Sequence, residues 1–298
     1  MQTKDTGFDR QVSGFRLMRQ PGDAKPVMQT LPYRIDREAD DRVRATFYRD
    51  GDRYHINLPS LAAYSFDSGS TDVFYWPESG ISDAVVDQLF LNQIAPLIRS
   101  LSGELVLHVS ALEIDGSAVL LAGPTGMGKS TLAAFLATQG FRILSDDGIA
   151  VTQSATGFEV KAEKKPIRLW QDSFAALFPD QGYADTDGAK QFVGEQEGLR
   201  FQTEPRPLAT ILFLVDGAQD AGIEQRRLSP REAMQEALKN TFLLDEKRQN
   251  AIHSHFQLLA SIANGIPQYA LSYPRQFDHL PEVSKAIQGL CQTAQENT

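Results

Sequence analysis

The chain has 298 residues, of which 42% are hydrophobic and 22% charged, a composition typical of a soluble protein with a sizeable core. Its formal net charge of −9 argues against nucleic acid or an anionic membrane as the main partner, because both attract basic surfaces. The single cysteine, Cys291, excludes an intrachain disulfide and a metal site built from several cysteines. No apolar run is long enough to span a membrane, and nothing resembles a secretory signal, so we expect a cytoplasmic protein.

The first third of the chain reads as β-structure. Residues 44–49 and 54–58 are rich in β-branched and aromatic types and flank Asp50-Gly51-Asp52, which predicts a β-hairpin. Residues 74–77 form another candidate strand. We therefore expect a small antiparallel β layer.

From Ser82 onward the apolar residues recur at spacings of three and four, which predicts a helix from Ser82 to about Arg99. Pro96 lies inside that helix and predicts a kink or an early end. We interpret residues 1–100 as an N-terminal β-rich portion with a linking helix, and residues 101–298 as a catalytic domain.

One motif dominates the second part. Residues 123–130 match G-x-x-x-x-G-K-[ST], the phosphate-binding loop, at every constrained position. A short apolar strand, residues 118–122, precedes the loop, and a helix over residues 131–139 follows it and stops at Gly140. The strand, glycine loop and helix together favour a functional loop over a chance match.

The residues of this loop predict how a nucleoside triphosphate binds. The glycines leave room for a phosphate and let successive backbone N–H groups point at it. Lys129 is expected to reach the β- and γ-phosphates, and the Ser130 hydroxyl to bind Mg²⁺. We therefore predict ATP and Mg²⁺ as cofactors. The nucleotide-binding residues are expected to be Gly123, Pro124, Thr125, Gly126, Met127, Gly128, Lys129, Ser130 and Thr131.

Two acidic residues lie at the end of the strand that follows the loop and its helix. Residues 141–147 read as an apolar strand that ends in Asp146 and Asp147, and ligands bind at the carboxyl ends of such strands. Adjacent residues on a strand point to opposite sides, so one acid can hold Mg²⁺ while the other faces an acceptor hydroxyl. Residues 105–114 predict another strand, which carries His108 and which Asp115-Gly116 turns back into the strand that leads to the loop.

The remaining chain completes an α/β pattern. Residues 209–215 are the most apolar β-type run and predict a central buried strand. Ser229 and Glu232 form a capping box at the start of a helix. The polar segment 182–198 reads as a lid or substrate loop. Lys190 within it and Arg200 beside it are candidate cations for a transferring phosphoryl group, although the sequence alone favours solvated side chains for both.

The motifs from His108 to Asp147 resemble, in order and spacing, the catalytic core of HPr kinase/phosphorylase. The matching residues are Leu107-His108, Glu113-Ile114-Asp115-Gly116, Gly123 to Ser130, Gln139-Gly140-Phe141-Arg142 and Ser145-Asp146-Asp147. Leu169-Trp170, Tyr273-Pro274-Arg275 and Leu280-Pro281-Glu282 more loosely resemble stand-alone members in biosynthetic clusters. Some of those, beside lasso-peptide genes, phosphorylate a precursor peptide on serine.

The resemblance implies an α/β fold with a P-loop kinase core of the HPr kinase C-terminal-domain type. It also implies that Asp146 handles the acceptor proton with His108 nearby, and that Asp147 and Ser130 hold Mg²⁺. The chain departs from the family at Thr131, where the family has an acid, and at Val109, where it has glycine. It also lacks a convincing arginine-glycine signature of the family.

Three functions fit the sequence. The first is an ATP-dependent kinase that phosphorylates a serine hydroxyl of a peptide or small protein, with His108, Lys129 and Asp146 as catalytic residues. The second is a nucleotide-gated ATPase that signals by conformation, and the third is a kinase for a small-molecule hydroxyl. The paired acids favour transfer, since a switch needs only one acidic residue to bind magnesium. The sequence leaves two points open: the identity of the acceptor, and whether the chain assembles into a homo-oligomer.

Overall fold

The structure, a computed structural model, describes residues 9–38, 40–182, 190–217 and 222–296. The chain separates into two compact units, the first ending at Ser102 and the second beginning at Gly103. Helices and sheets occur in both units, so the fold is mixed α/β.

The first unit contains a seven-stranded sheet. Its strands are β1 (Asp9–Val12), β2 (Phe15–Arg19), β3 (Arg34–Arg37), β4 (Val43–Asp50), β5 (Arg53–Leu58), β6 (Ala62–Asp67) and β7 (Asp72–Pro77). They lie in the order β1-β2-β7-β6-β5-β4-β3. The predicted Asp-Gly hairpin is confirmed, since Asp50 pairs with Arg53 across the turn between β4 and β5.

The expectation of a purely antiparallel layer is wrong. Strands β2 and β7 pair in parallel, whereas the other neighbours in this sheet are antiparallel. The physical reason is the connection after β2, which carries the chain to the opposite edge of the sheet at β3. The meander from β3 to β7 then returns beside β2 in the same direction.

The predicted linking helix is present but interrupted. Helix α1 (Asp83–Leu89) is capped by Ser82, whose hydroxyl accepts from the Val85 N–H at 3.4 Å, and α2 spans Ala95–Leu101. A π-helical turn, Phe90–Ile94, joins them. Because Pro96 has no N–H to donate, the wider turn before it accommodates the missing hydrogen bond.

The second unit is built on a larger sheet. Its strands are β8 (Leu105–Leu107), β9 (Val109–Ile114), β10 (Ser117–Ala122), β11 (Arg142–Asp146), β12 (Ile149–Ser154), β13 (Gly157–Val160), β16 (Arg200–Phe201), β17 (Arg206–Leu214), β18 (Glu224–Arg227) and β19 (Gln268–Ser272). The main order is β16-β11-β9-β10-β17-β13-β12-β8, with β19 beside β17 and β18 beside β19. Strands β14 (Ile167–Leu169) and β15 (Gln191–Val193) form a separate pair.

Strand direction decides where this sheet can bind a ligand. Strands β10, β17 and β19 are parallel neighbours, and β11 runs the same way because β9 pairs antiparallel with both β10 and β11. The carboxyl ends of these four strands therefore meet at one edge. The start of β9 lies at that edge too.

Among the described residues, five α-helices accompany the second sheet. They are α3 (Lys129–Thr138), α4 (Gln171–Leu177), α5 (Pro230–Lys239), α6 (Gln249–Gly265) and α7 (Leu280–Glu296). The predicted capping box of Ser229 and Glu232 on α5 is confirmed, as is the stop of α3 before Gly140, which has φ +100°. Within the described residues, no helix combines the length and apolar character that crossing a bilayer requires.

Both faces of this sheet bury apolar side chains. Val119 and Leu121 of β10 belong to one core with α3 and α7, whereas Leu120 and Ala122 belong to another with α5 and α6. Successive side chains of a strand point to opposite faces of the sheet, so this alternation is expected where helices cover both faces. The prediction of a central buried strand over residues 209–215 is confirmed by β17, which lies between β10 and β19.

One predicted strand is two strands in the structure. Residues 105–114 divide at His108 into β8, which pairs with β12, and β9, which pairs with β10 and β11. The His108 N–H donates to the Asn240 carbonyl at 2.7 Å instead of to a strand neighbour. The break places His108 at the shared edge of the sheet.

Cys291 gives a test of the core that β10 shares with α3 and α7. Its side chain is fully buried in α7, and burial raises the pKa of the thiol to about 12. We expect native protein to react with DTNB far more slowly than unfolded protein, because only an accessible thiolate reacts. A Gln257→Cys variant, at an exposed position of α6, is the control and should add one fast thiol. Fast labelling of Cys291 in the native wild type would contradict this packing.

Candidate functional site

The glycine loop, residues 123–128, connects β10 to α3. Gly123 has φ +143°, and a Cβ there would lie 2.9 Å from the Leu214 carbonyl oxygen, so the position admits only glycine. Gly128 caps α3 in the left-handed conformation, with φ +81°. The first N–H groups of α3 have no partners within the helix, and they carry the positive end of its dipole. This end of the loop is therefore suited to an anion.

Lys129 is folded back onto the loop. Its side chain is buried, and the ammonium donates to the carbonyls of Gly123 at 2.7 Å and Pro124 at 3.2 Å. Burial lowers the pKa of Lys129, and the negative charges of Asp147 and Asp146 oppose that shift. The lysine is thus held beside the loop and within the field of both acids.

Asp146 ends β11 and faces the start of α3. Its carboxylate accepts from the Ser130 hydroxyl at 3.0 Å and from the Ser110 hydroxyl at 2.5 Å. The residue is 4% exposed. Burial and then the charge of Asp147 raise the pKa of Asp146, although the two serine hydroxyls oppose the shift.

Asp147 has cationic or polar partners on both carboxylate oxygens. Oδ1 lies 3.0 Å from His108 Nε2, and Oδ2 accepts from the Arg168 guanidinium at 2.5 Å. Burial alone would raise the pKa of Asp147, but the hydrogen bond from His108 and the charge of Arg168 hold it well below its usual range. Asp147 is therefore the acid kept ionised.

The expected partners of the two acids were interchanged. The sequence analysis placed His108 beside Asp146 and Ser130 beside Asp147, and the structure shows the reverse. Asp146 is the last strand residue and points at α3, whereas Asp147 has φ +54°, which turns its side chain toward His108. With both of its oxygens paired to His108 and Arg168, Asp147 is the poorer candidate for a metal ligand.

Asn240, which the sequence analysis missed, joins the loop to His108. Its side-chain oxygen accepts from the Gly123 N–H at 3.1 Å, and its backbone carbonyl accepts from the His108 N–H. It lies at the end of α5, far along the chain from both partners. No local motif marks such a residue, because its role depends on where α5 meets the sheet.

Cationic side chains surround the two acids and the loop. Lys190 lies 5.2 Å from the Trp170 ring, and burial followed by the charge of Arg168 lowers its pKa. Arg275 donates to the Met127 carbonyl in the loop and to the Val215 carbonyl at 3.3 Å. The site therefore combines two carboxylates with several cations, in a chain whose net charge is negative.

Arg200, the other candidate cation, is not brought to this site. It pairs with Arg142 at the start of β11, whereas Asp146 ends that strand, about 13 Å away at the usual rise per residue. The predicted lid, residues 182–198, lies partly outside the described residues, because the structure does not describe residues 183–189. Thr131, expected to bind nucleotide, has its hydroxyl 3.0 Å from the Ser173 hydroxyl.

Ser130 and Asp146 fit a magnesium ion. Both offer oxygen ligands 3.0 Å apart, and Mg²⁺ prefers oxygen. Among the described residues, no cluster of three or more His, Cys, Asp or Glu side chains could hold a metal. This small ligand set is typical of Mg²⁺ sites that are completed by substrate phosphates and water.

Comparison with known proteins adds little to this geometry. No protein-family model and no curated protein matches the chain. Among solved structures, the Hpr(Ser) kinase/phosphatase from Coxiella burnetii is similar at 16% sequence identity and a TM-score of 0.36, covering 64% of this chain and 91% of that chain. A likeness of this degree identifies neither the family nor the activity, which must be judged from the site itself.

The contact between Asn240 and the loop can be tested. Replacing Asn240 by alanine leaves the buried Gly123 N–H without its acceptor, so we expect the second unit to lose about 1–3 kcal/mol of stability. Hydrogen exchange of the Gly123 amide should accelerate. Thr241→Val is the matched control, because it removes a hydrogen bond to the Ala237 carbonyl of α5 without touching the loop. Equal Gly123 exchange in both variants would contradict the assignment.

Proposed function

We propose that this chain is an ATP-dependent phosphotransferase that moves the γ-phosphate of ATP to a serine hydroxyl of a peptide or small protein. The observation that carries the proposal is the meeting of three features at one edge of the sheet. These are the glycine loop with Lys129, the Ser130–Asp146 pair, and a second acid held ionised by His108 and Arg168.

The loop and its lysine are assigned to the nucleotide. The N–H groups at the start of α3 would bind phosphate oxygens, and Lys129 would exchange its carbonyl partners for the β- and γ-phosphates. Arg275 lies at the loop backbone and would add positive charge there. Together these groups constitute a P-loop nucleotide site.

Ser130 and Asp146 are assigned to Mg²⁺. When bound, the ion would neutralise charge on the β- and γ-phosphates, as in other phosphoryl-transfer sites. This assignment gives Asp146 the role that the sequence analysis gave to Asp147. It follows from the 3.0 Å contact between the Ser130 hydroxyl and the Asp146 carboxylate.

Asp147 is assigned to the acceptor. The serine Oγ forms its bond to the γ-phosphorus as the bond from that phosphorus to ADP breaks, and the serine proton passes to Asp147. In a loose transition state the proton leaves late, so an ionised carboxylate of low pKa is an adequate acceptor. His108 orients Asp147 through its Nε2–H, while Arg168 and Lys190 would stabilise charge on the transferring group.

The choice of a peptide acceptor rests on the sequence resemblance and on the surface beside the acids. Trp170 and Phe192 are 52% and 43% exposed. Phe192 of β15 pairs with Arg168 of β14, and Trp170 directly follows β14. Both aromatic residues therefore lie in or next to the strand pair that supplies Arg168. Exposed aromatic side chains favour an acceptor with apolar contacts over a fully hydrated small molecule.

Substituting the acids separates their roles. We expect Asp147→Asn to bind ATP normally and to transfer phosphate at least about 100-fold more slowly, because it loses the proton acceptor. Asp146→Asn should instead weaken the Mg²⁺ dependence of ATP affinity. The measurements are titration calorimetry with ATP and transfer of labelled phosphate to the protein encoded by the neighbouring gene or to a serine-peptide library. Wild-type transfer by Asp147→Asn would refute the assignment.

Lys129→Ala tests the nucleotide site itself. This variant should lose ATP affinity or turnover, because it lacks the buried Lys129 ammonium that contacts the loop. Surface Lys247→Ala is a control that should change neither. If the wild-type protein releases free phosphate and labels no peptide, a nucleotide-gated ATPase replaces the kinase. If it labels only small alcohols, the acceptor is a small molecule.

A further inference from the structure

The strand pair β14–β15 packs against the helix that follows the glycine loop. Ile167, Leu169 and Val193 are buried, and they belong to the core that also contains Leu132 and Leu136 of α3. Because successive side chains of a strand alternate between its two faces, the residues between these three lie on the outer face of the pair. That outer face is therefore held in a fixed position relative to α3.

Four side chains share the outer face. Arg168 of β14 and Phe192 of β15 are directly opposite each other. Trp170 has an extended backbone, with φ −68° and ψ 160°, so its side chain points to the same side as that of Arg168 two residues earlier. Lys190 comes two residues before Phe192, and its Nζ lies 5.2 Å from the centroid of the Trp170 ring. We call Arg168, Trp170, Lys190 and Phe192 the outer patch.

The two cations of the outer patch act on the acids of the candidate site. Arg168 donates to Asp147 Oδ2 at 2.5 Å. Burial and then the charge of Arg168 lower the pKa of Lys190, whereas the charges of Asp147 and Asp146 oppose that shift. The Lys190 ammonium therefore lies within the field of both acids. The outer patch thus adjoins the side of the site to which the acceptor hydroxyl is assigned.

The two aromatic side chains of the outer patch are left to contact a ligand. Trp170 is 52% exposed even with Lys190 over its ring, and Phe192 is 43% exposed. They occupy diagonal positions across the strand pair, which lie about 7–8 Å apart and within reach of each other for aromatic side chains. One apolar side chain of a ligand can therefore contact both rings.

The position of these rings relative to Asp147 fits a peptide. The Cβ atoms of Phe192 and Arg168 are about 5 Å apart, as in other directly opposed pairs, and the Arg168 side chain then extends to Asp147. A ligand that brings a hydroxyl to Asp147 and an apolar group to the rings must span that side chain. Residues two apart in an extended peptide lie about 7 Å apart and point to the same side. A serine with an apolar residue two positions away meets this requirement, whereas a short alcohol does not.

We propose that the outer patch is the subsite for an apolar side chain two residues from the acceptor serine. Trp170 and Phe192 contact that side chain, while Arg168 and Lys190 remain with the acids and the transferring phosphoryl group. The inference rests on the proposed function for the identity of the bound peptide as the acceptor. Binding at Trp170, however, can be measured without nucleotide and without transfer.

The indole N–H of Trp170 reports binding directly. The chain has two tryptophans, and Trp76, which is 7% exposed, is the internal reference. Their ¹⁵N NMR signals, assigned with Trp76→Phe, would be followed during titration with acetyl-Gly-Leu-Gly-Ser-Gly-Leu-Gly-amide, which carries leucine two residues from serine in both directions. We expect only the Trp170 signal to shift, with saturation at millimolar peptide. The matched peptide with asparagine in place of both leucines should bind at least about fivefold more weakly, because it has no apolar side chain to bury.

A variant at Phe192 tests the second ring. Phe192→Ala changes an exposed position, so the protein should stay folded, and it should bind the leucine peptide about three- to tenfold more weakly, because it loses one aromatic contact. In phosphate transfer the KM for this peptide should rise by the same factor, while kcat and the ATP affinity stay unchanged. Phe256→Ala is the matched control, since Phe256 is a 54% exposed aromatic residue of α6 outside the outer patch, and it should change none of these values.

The outcomes separate this subsite from the kinase assignment. An unmoved Trp170 signal, equal affinity for the two peptides, or unchanged affinity in Phe192→Ala would overturn the subsite. Leucine-dependent binding at Trp170 without any transfer of labelled phosphate would support the outer patch as a peptide-binding surface and would refute the kinase.

Discussion

The different orientation of two adjacent carboxylates is the constraint on which the geometry of the candidate site depends. Asp146 still has strand geometry and points at Ser130, whereas Asp147 has a positive φ and points at His108 and Arg168. The Asp147 N–H is satisfied by the Val109 carbonyl, which fixes the turn against β9. As a result one acid is buried beside two hydroxyls, and the other beside the His108 imidazole and the Arg168 guanidinium. Opposite pKa shifts in neighbouring residues are what separate roles at one site require.

Positive charge at the site is local and comes from distant parts of the chain. Arg168 lies in β14 of a separate strand pair, Lys190 comes immediately before β15, the second strand of that pair, and Arg275 follows β19. The overall charge of −9 therefore does not describe this edge of the sheet. A concentrated group of cations beside two carboxylates is suited to a small polyanion such as a triphosphate.

Local signals explain what the sequence could predict. The glycine loop, the Ser229 capping box and the Asp-Gly hairpin each depend on residues a few positions apart, and the structure contains all three. Arg168 and Asn240 could not be found in this way, because their contacts arise only when separate elements meet. The sequence analysis also assigned the partners of Asp146 and Asp147 the wrong way round. A strand pattern predicts that successive side chains point to opposite faces, but it does not predict which face is turned toward α3. In addition, Asp147 lies beyond the end of β11, where strand alternation no longer applies.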